Sequence, residues 1–233
     1  MTKNAPFVLC WILAAATPAL GAEFEDHVFS GNKFVQEKKY KEAAREYQTA
    51  IEMNPQSADA NLLLGLTLAN TKDLDGALRY TQASLLIKPS YSGYYNLGLI
   101  QANLGKYAES VDAYQKAVGL NTSSYQAWYQ LGLVYSTDLK FDKAIEAYQK
   151  VISLNPQFAG AYQGLGSASY WNEDTATANA QVQKLRELKL DNEAKQLEAW
   201  IKDKEAKKTK AAKKAAAATS TGGLKEAPPT PAA

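Results

Sequence analysis

The stretch FDKAIEAYQKVISLNP, Phe141–Pro156, gathers Asp142, Lys143, Glu146 and Tyr148, residue types that could carry acid–base chemistry. Carboxylates also fall in close pairs, Asp138 with Asp142 and Glu109 with Asp112. These pairs sit at predicted helix starts, where negative charge favours the helix dipole, and that position accounts for them. The one histidine, His27, has no cysteine or clustered carboxylates with it, so it makes no metal site. A hydrolytic triad would need it placed beside Ser and Asp, and it reads instead as a structural or surface histidine. Glycines occur singly, without GxxxxGK[ST] or GxGxxG, so nucleotide binding has no support. Asn121-Thr122-Ser123 has the form of a glycosylation sequon but lies in a predicted turn. No catalytic residue, metal or cofactor is expected.

The spacing of the same residues points to architecture. YKEAAREYQTAIEMNP (Tyr40–Pro55), LDGALRYTQASLLIKP (Leu74–Pro89), YAESVDAYQKAVGLNT (Tyr107–Thr122) and Phe141–Pro156 align at intervals of 34, 33 and 34 residues. Each opens on a bulky residue and has a small one at its fourth position: Ala43, Ala77, Ser110 and Ala144. Ala50, Ser84 and Ala117 recur at the eleventh, where Val151 departs, and three of the four copies end on Pro. Upstream of each lies a second helical pattern. Trp128, Leu131, Gly132 and Tyr135 return as Tyr94, Leu97, Gly98 and Gln101, as Asn61, Leu64, Gly65 and Leu68, and more loosely as His27, Ser30, Gly31 and Phe34. A spacing of i, i+3, i+4, i+7 places such residues on one helix face. Small residues let two helices approach closely, and Pro halts the second and turns the chain. One helix pair cannot bury its apolar face, so stacking must do it, with modified units at the ends.

These residues resemble the tetratricopeptide repeat family, with its W-x2-L-G-x2-Y, A-x3-F and P pattern. The likeness covers residues 24–192: repeats at 24–57, 58–90, 91–124 and 125–158, and a degenerate fifth at 159–192 that keeps Tyr162, Leu165, Gly166 and Ala178. The expected fold is therefore all-α, a solenoid of antiparallel helix pairs, right-handed by resemblance. A capping helix is expected at 193–206, with Leu197, Trp200 and Ile201 facing the last repeat.

In this family the first helix of each repeat lines a concave groove. Carried onto this chain, the resemblance implies a peptide-binding groove with Tyr95, Leu99, Asn103, Gln126, Tyr129, Gln163, Tyr170 and Trp171, in which Asn103, Gln126 and Gln163 would bond the ligand backbone. Leu62, Leu66, Leu99 and Leu133 have a competing reading as packing between neighbouring helices. No Lys or Arg falls at the groove positions. Relatives that clamp the C-terminal carboxylate of chaperones use Lys, Asn and Arg, where this chain has Val28, Asn32, Leu63, Ser92 and Asn96, so that clamp is rejected. A neutral groove with Tyr and Trp suits an apolar or aromatic peptide segment of a partner protein.

The ends of the chain differ from its middle. Lys3, the apolar run Phe7–Ala16, Pro18 and the small-residue end Ala19–Ala22 read as a signal peptide, residues 1–22, cleaved after Gly21 or Ala22. Export to the periplasm is expected, the alternative being an uncleaved anchor in the inner membrane. Cys10 is the single cysteine, so the mature chain would hold none. The net charge of +2 hides an asymmetry. Residues 23–201 hold 17 Lys/Arg and 21 Asp/Glu, hence −4, and residues 202–233 hold 8 Lys and 3 acids, hence +5. Residues 207–233, first Lys/Ala-rich and then Pro-rich, read as a disordered tail, with the alternative that the Lys/Ala run, residues 202–218, extends the capping helix. Its Lys207, Lys208, Lys210, Lys213 and Lys214, with Lys204 just before them, could meet an anionic membrane or polysaccharide; nucleic acid is disfavoured, since interleaved aromatics are lacking. The expected function is a non-enzymatic protein–protein interaction scaffold of the bacterial cell envelope, and the alternative is docking through the basic tail.

Overall fold

The computed structural model describes residues 7–221, with side chains from 21 to 216. Of the proposed signal peptide, residues 1–6 lie outside the described residues, as does the Pro-rich end, 222–233. The described residues form eleven α-helices: α1 (Phe7–Gln36), α2 (Tyr40–Met53), α3 (Ala58–Asn70), α4 (Leu74–Ile87), α5 (Tyr91–Asn103), α6 (Tyr107–Leu120), α7 (Tyr125–Thr137), α8 (Phe141–Leu154), α9 (Ala159–Trp171), α10 (Thr175–Glu187) and α11 (Asp191–Thr221). Among them no helix is long and apolar enough to cross a membrane. The fold class is all-α, a solenoid of antiparallel helix pairs. The chain divides into two units, Met1–Lys140 and Phe141–Ala233, and the division falls between α7 and α8.

Two kinds of turn set the period. Within a pair, the chain leaves the first helix through one residue of left-handed backbone: Lys38, Lys72, Gly105, Leu139 and Glu173, with φ between 57° and 73°. The following amide then reaches back to close a Schellman motif, Lys39 N–H to Phe34 C=O (2.8 Å), Asp73 to Leu68 (3.0 Å) and Lys106 to Gln101 (2.8 Å). Only Gly105 takes this conformation without a Cβ penalty. Between pairs, an Asn folds onto the chain two residues on: Asn54 Oδ1 accepts from Gln56 N–H at 3.2 Å and Asn121 Oδ1 from Ser123 N–H at 3.2 Å. Ser57, Ser90 and Ser124 then cap the next helix by accepting from Ala60, Gly93 and Ala127 N–H.

In the first unit the small residues at the fourth position of each second helix, Ala43, Ala77 and Ser110, are fully buried. The residue four later, Tyr47, Thr81 or Tyr114, lies on the glycine of the preceding helix. A Cβ on Gly98 would stand 2.9 Å from the Tyr114 ring, and one on Gly31 would stand 2.5 Å from Tyr47. Both rings are wholly buried. The first helices of successive pairs touch, α3 with α5 and α5 with α7, so they form the inner row of this unit. His27 Nδ1 pairs with Glu46 Oε2 at 2.7 Å, tying α1 to α2.

In the second unit, α8 buries Ala144, Ala147, Tyr148 and Val151 and exposes Asp142, Lys143, Glu146 and Lys150. The Tyr148 ring lies where a Cβ on Gly164 would fall, 2.5 Å away. Among the described residues no ion pair joins Glu146 to Lys150, although their spacing allows one. Asp142 sits in the first turn of α8, as expected, and binds Asn172 Nδ2 at 2.8 Å. Asp138 does not open a helix: it follows the end of α7 and pairs with Lys140 at 2.6 Å.

The C-terminal helix differs from expectation. It begins at Asp191 and continues without a break at residue 206, reaching Thr221. Lys and Ala are strong helix formers, and their run extends the capping helix, the alternative to a disordered tail that the sequence left open from residue 207. Leu197 and Ile201 are buried against α9 and α10, and Leu197 Cδ2 lies 2.8 Å from where a Cβ on Gly166 would stand. The helix thus fills the place of a further repeat.

Candidate partner-binding face

The inner row of the first unit carries five of the residues that the sequence singled out. Tyr95 is half-buried: its ring meets Tyr91 at 5.8 Å and stands edge-on to Tyr114 at 5.7 Å. Burial pushes its phenol up, opposed by a hydrogen bond with the Gln130 side chain. Gln126 is exposed at the start of α7, and its Oε1 accepts from Ser124 Oγ at 3.3 Å. Tyr95 and Gln126 both border one cavity of about 560 Å³, completed by Tyr91, Tyr125, Asn96 and Ser124 among others. No charged side chain lines it. Tyr91 Oη and Ser124 Oγ share a 2.7 Å hydrogen bond across its wall.

The remaining three residues of this unit lie outside that cavity. Leu99 is 39% exposed and Leu133 of α7 37%, so each keeps part of its side chain in solvent beside the part that packs. Leu62 and Leu66, by contrast, are half-buried. Asn103 turns one amide hydrogen back onto Leu99 C=O at 2.9 Å, as Asn70 does onto Leu66, and the Thr137 hydroxyl donates likewise to Leu133 C=O. Such back-bonding occupies part of its capacity for a ligand backbone. Tyr129 is half-buried, which pushes its phenol up. Asn32, the one residue that fitted the chaperone clamp, accepts from Tyr47 Oη at 2.8 Å and is held by its own repeat.

In the second unit α11 occupies the face that the sequence left open. Gln163 Nε2 donates to Gln196 Oε1 at 3.2 Å and to Glu193 C=O at 3.4 Å, so it joins helices instead of waiting for a ligand. Tyr170 is only 9% exposed, with its ring edge-on to Trp171 and Trp200. Trp171 is 49% exposed. Of the tail lysines, Lys207 pairs with Asp203 at 2.7 Å, and Lys208, Lys210, Lys213 and Lys214 are exposed along α11.

Tyr91 and Tyr125 were not among the expected residues, yet they wall the cavity with Tyr95. The available signal was a tyrosine opening two successive first helices, 34 residues apart. Lys204, which the sequence grouped only with the basic lysine cluster, lies over Trp171 and Trp200. Its position four residues after Trp200 on a helix was the clue. Among the described residues, no group of three His, Cys, Asp or Glu side chains is arranged to hold a metal.

Comparison with known proteins agrees with this architecture. The family described as tetratricopeptide repeat matches residues 92–123 and 125–158, and one described as TPR repeat matches residues 31–72. The small glutamine-rich tetratricopeptide repeat-containing protein 2 of Saccharomyces cerevisiae is 31% identical over 100 residues, 42% of this chain and 29% of that one. The chain thus spans under a third of the length of that relative. A crystal structure of the MamA protein is 30% identical with a TM-score of 0.69, covering 72% of this chain and 92% of that one. YrrB, described as a TPR protein with an unusual peptide-binding site, is alike in fold alone, at 19% identity and a TM-score of 0.66 over 74% of this chain and 90% of its own. The chain belongs to the tetratricopeptide repeat family, whose helix-pair repeats serve as scaffolds for protein–protein interaction.

Proposed function

We propose that this protein is a non-enzymatic scaffold of the bacterial cell envelope that holds an apolar or aromatic peptide segment of a partner on the inner row of its first unit. One observation carries the reading: an uncharged cavity walled by Tyr91, Tyr95 and Tyr125, on a row that also exposes Leu99 and Leu133. Tyrosine offers apolar area and a hydrogen-bonding tip at small entropic cost, and the amides of Asn96 and Gln126 can bond an extended backbone. A cavity without charge gives no reward to an acidic terminus or a phosphate. The envelope location rests on the N-terminal sequence, Lys3, Phe7–Ala16 and Ala19–Ala22.

A photo-crosslinking amino acid placed at position 99 or 133 in the native cell tests the binding face, with position 86 as control. Leu86 is 88% exposed on a second helix. The same polypeptide should be captured from 99 and 133, not from 86, and Gln126→Glu, which puts a carboxylate into the neutral cavity, should reduce capture. Equal capture from position 86 would overturn the reading. Sequencing the N-terminus of the protein from an envelope fraction should give Ala22 or Glu23 as first residue; an intact Met1 in the cytoplasm would remove the envelope part.

A further inference from the structure

The second unit gathers an aromatic cluster that its packing role does not exhaust. Trp171 and Trp200 stand nearly perpendicular, 78° apart with centroids at 6.1 Å, so two indoles form a corner. Tyr170 backs that corner, edge-on to both, and Phe141 lies nearly parallel to Trp171 at 6.5 Å. Into the corner comes the ammonium of Lys204, with Nζ 5.5 Å from each indole centroid. Both distances lie within the range at which a ring face attracts a cation. Lys204 has no carboxylate partner among the described residues. Of the acids near it on α11, Asp203 is engaged by Lys207 and Glu198 by Arg186 and Lys202, while Glu205 faces the neighbouring cavity.

We propose that Trp171, Trp200 and Tyr170 form a cation-binding cage for the side-chain ammonium of a lysine on a partner polypeptide, and that Lys204 occupies it in cis until displaced. The chain's own lysine shows which chemistry the corner accepts. A lysine held only by two ring faces gives up much rotamer freedom, so it is weakly retained. The cage is also reachable, because Trp171 is half-exposed. Beside it lies a cavity of about 360 Å³ bordered by Tyr170, Glu173, Glu205 and Lys208. Two carboxylates against one lysine leave that cavity net negative, which suits an incoming cation. This site is separate from the tyrosine-walled cavity and does not depend on it.

The test uses the full chain labelled with 5-fluorotryptophan and followed by fluorine NMR, with the signals assigned by Trp171→Phe and Trp200→Phe. The probes are tetramethylammonium chloride and Nα-acetyl-lysine N-methylamide. Sodium chloride and the norleucine amide serve as ionic and uncharged controls. Both cations should shift the Trp171 and Trp200 signals saturably and the controls should not. Lys204→Met should lower the half-saturating concentration by about threefold or more, since an occupied cage weakens apparent affinity in proportion to its occupancy. Lys204→Arg, which keeps a cation in place, should behave as the unaltered chain does. Circular dichroism checks that each variant stays helical. Shifts in Lys204→Met no larger than those from sodium chloride would overturn the cage. Equal shifts from norleucine amide would make it an apolar surface, and a response to tetramethylammonium but not to lysine amide would refute the assigned occupant.

Discussion

Tyr47 and Tyr114 hold equivalent positions in their repeats, both are wholly buried, and both cover a glycine of the preceding helix. Removing their hydroxyls should nevertheless have opposite effects. Tyr47 Oη donates to Asn32 Oδ1 at 2.8 Å. Tyr114 Oη has no hydrogen-bond partner among the described residues, and burial pushes its phenol far up. A satisfied hydrogen bond contributes about 0.5–1.5 kcal/mol net, while a buried polar group left unpaired costs about 1–3 kcal/mol. Phe preserves the ring, so the contact with Gly98 and the edge contact with Tyr95 remain. Tyr47→Phe should therefore destabilise by about 1 kcal/mol and Tyr114→Phe should stabilise by about 1 kcal/mol. Urea unfolding followed by far-ultraviolet circular dichroism reads both, provided the slope is unchanged, so that a moved midpoint means changed stability. A loss in Tyr114→Phe as large as that in Tyr47→Phe would mean that the Tyr114 hydroxyl has a partner, and the reasoning would be refuted.

The buried phenols and the left-handed turns give two further expectations. Burial raises the folded-state values of Tyr47, Tyr95, Tyr114 and Tyr129 above the ordinary 10.0. An acid raised on folding contributes stability that is complete below its unfolded value and lost as pH climbs through the folded one, because the unfolded chain sheds its protons first. The urea midpoint should hold up to about pH 10 and fall above it; a midpoint unchanged well above that pH contradicts these shifts. At the turns, Lys72→Gly should stabilise by about 0.5–1 kcal/mol, relief of the left-handed Cβ exceeding the entropy that glycine adds to the unfolded chain. Gly105→Lys should cost a similar amount, and thermal unfolding of the two variants should move in opposite directions.

The fold was legible because its determinants are local and repeated. Small residues at fixed positions, Gly65 or Gly98 facing Ala77 or Ser110, can mean only close helix pairing when they recur at one period. The turns were less legible. Four of the five within-pair turns place Lys, Leu or Glu in left-handed backbone, so the usual glycine signal is missing except at Gly105. The length of α11 was left open by the sequence because the same Lys/Ala run satisfies a rule for solvated, like-charged segments and a rule for helix propensity. Next to a helix already anchored by Leu197 and Ile201, propensity prevails, since extension needs no new nucleus.

The candidate site was legible only where each repeat acts alone. The positions on α5 and α7 come from the resemblance to the family, and there Leu99 and Leu133 keep part of their surface in water. In the last repeat the same positions meet α11, which lies over α9 and takes Gln163 and Tyr170 into its own packing. Terminal units of a stack must hide an apolar face that inner units leave to their neighbours. A groove position in the last repeat therefore has two claimants, the ligand and the cap. Here the cap takes Tyr170, while Trp171 keeps half its surface in water. On the two proposals made above, the two faces would differ in the chemistry they take. The neutral tyrosine cavity offers shape and backbone hydrogen bonding, and the indole corner offers ring faces to a positive charge.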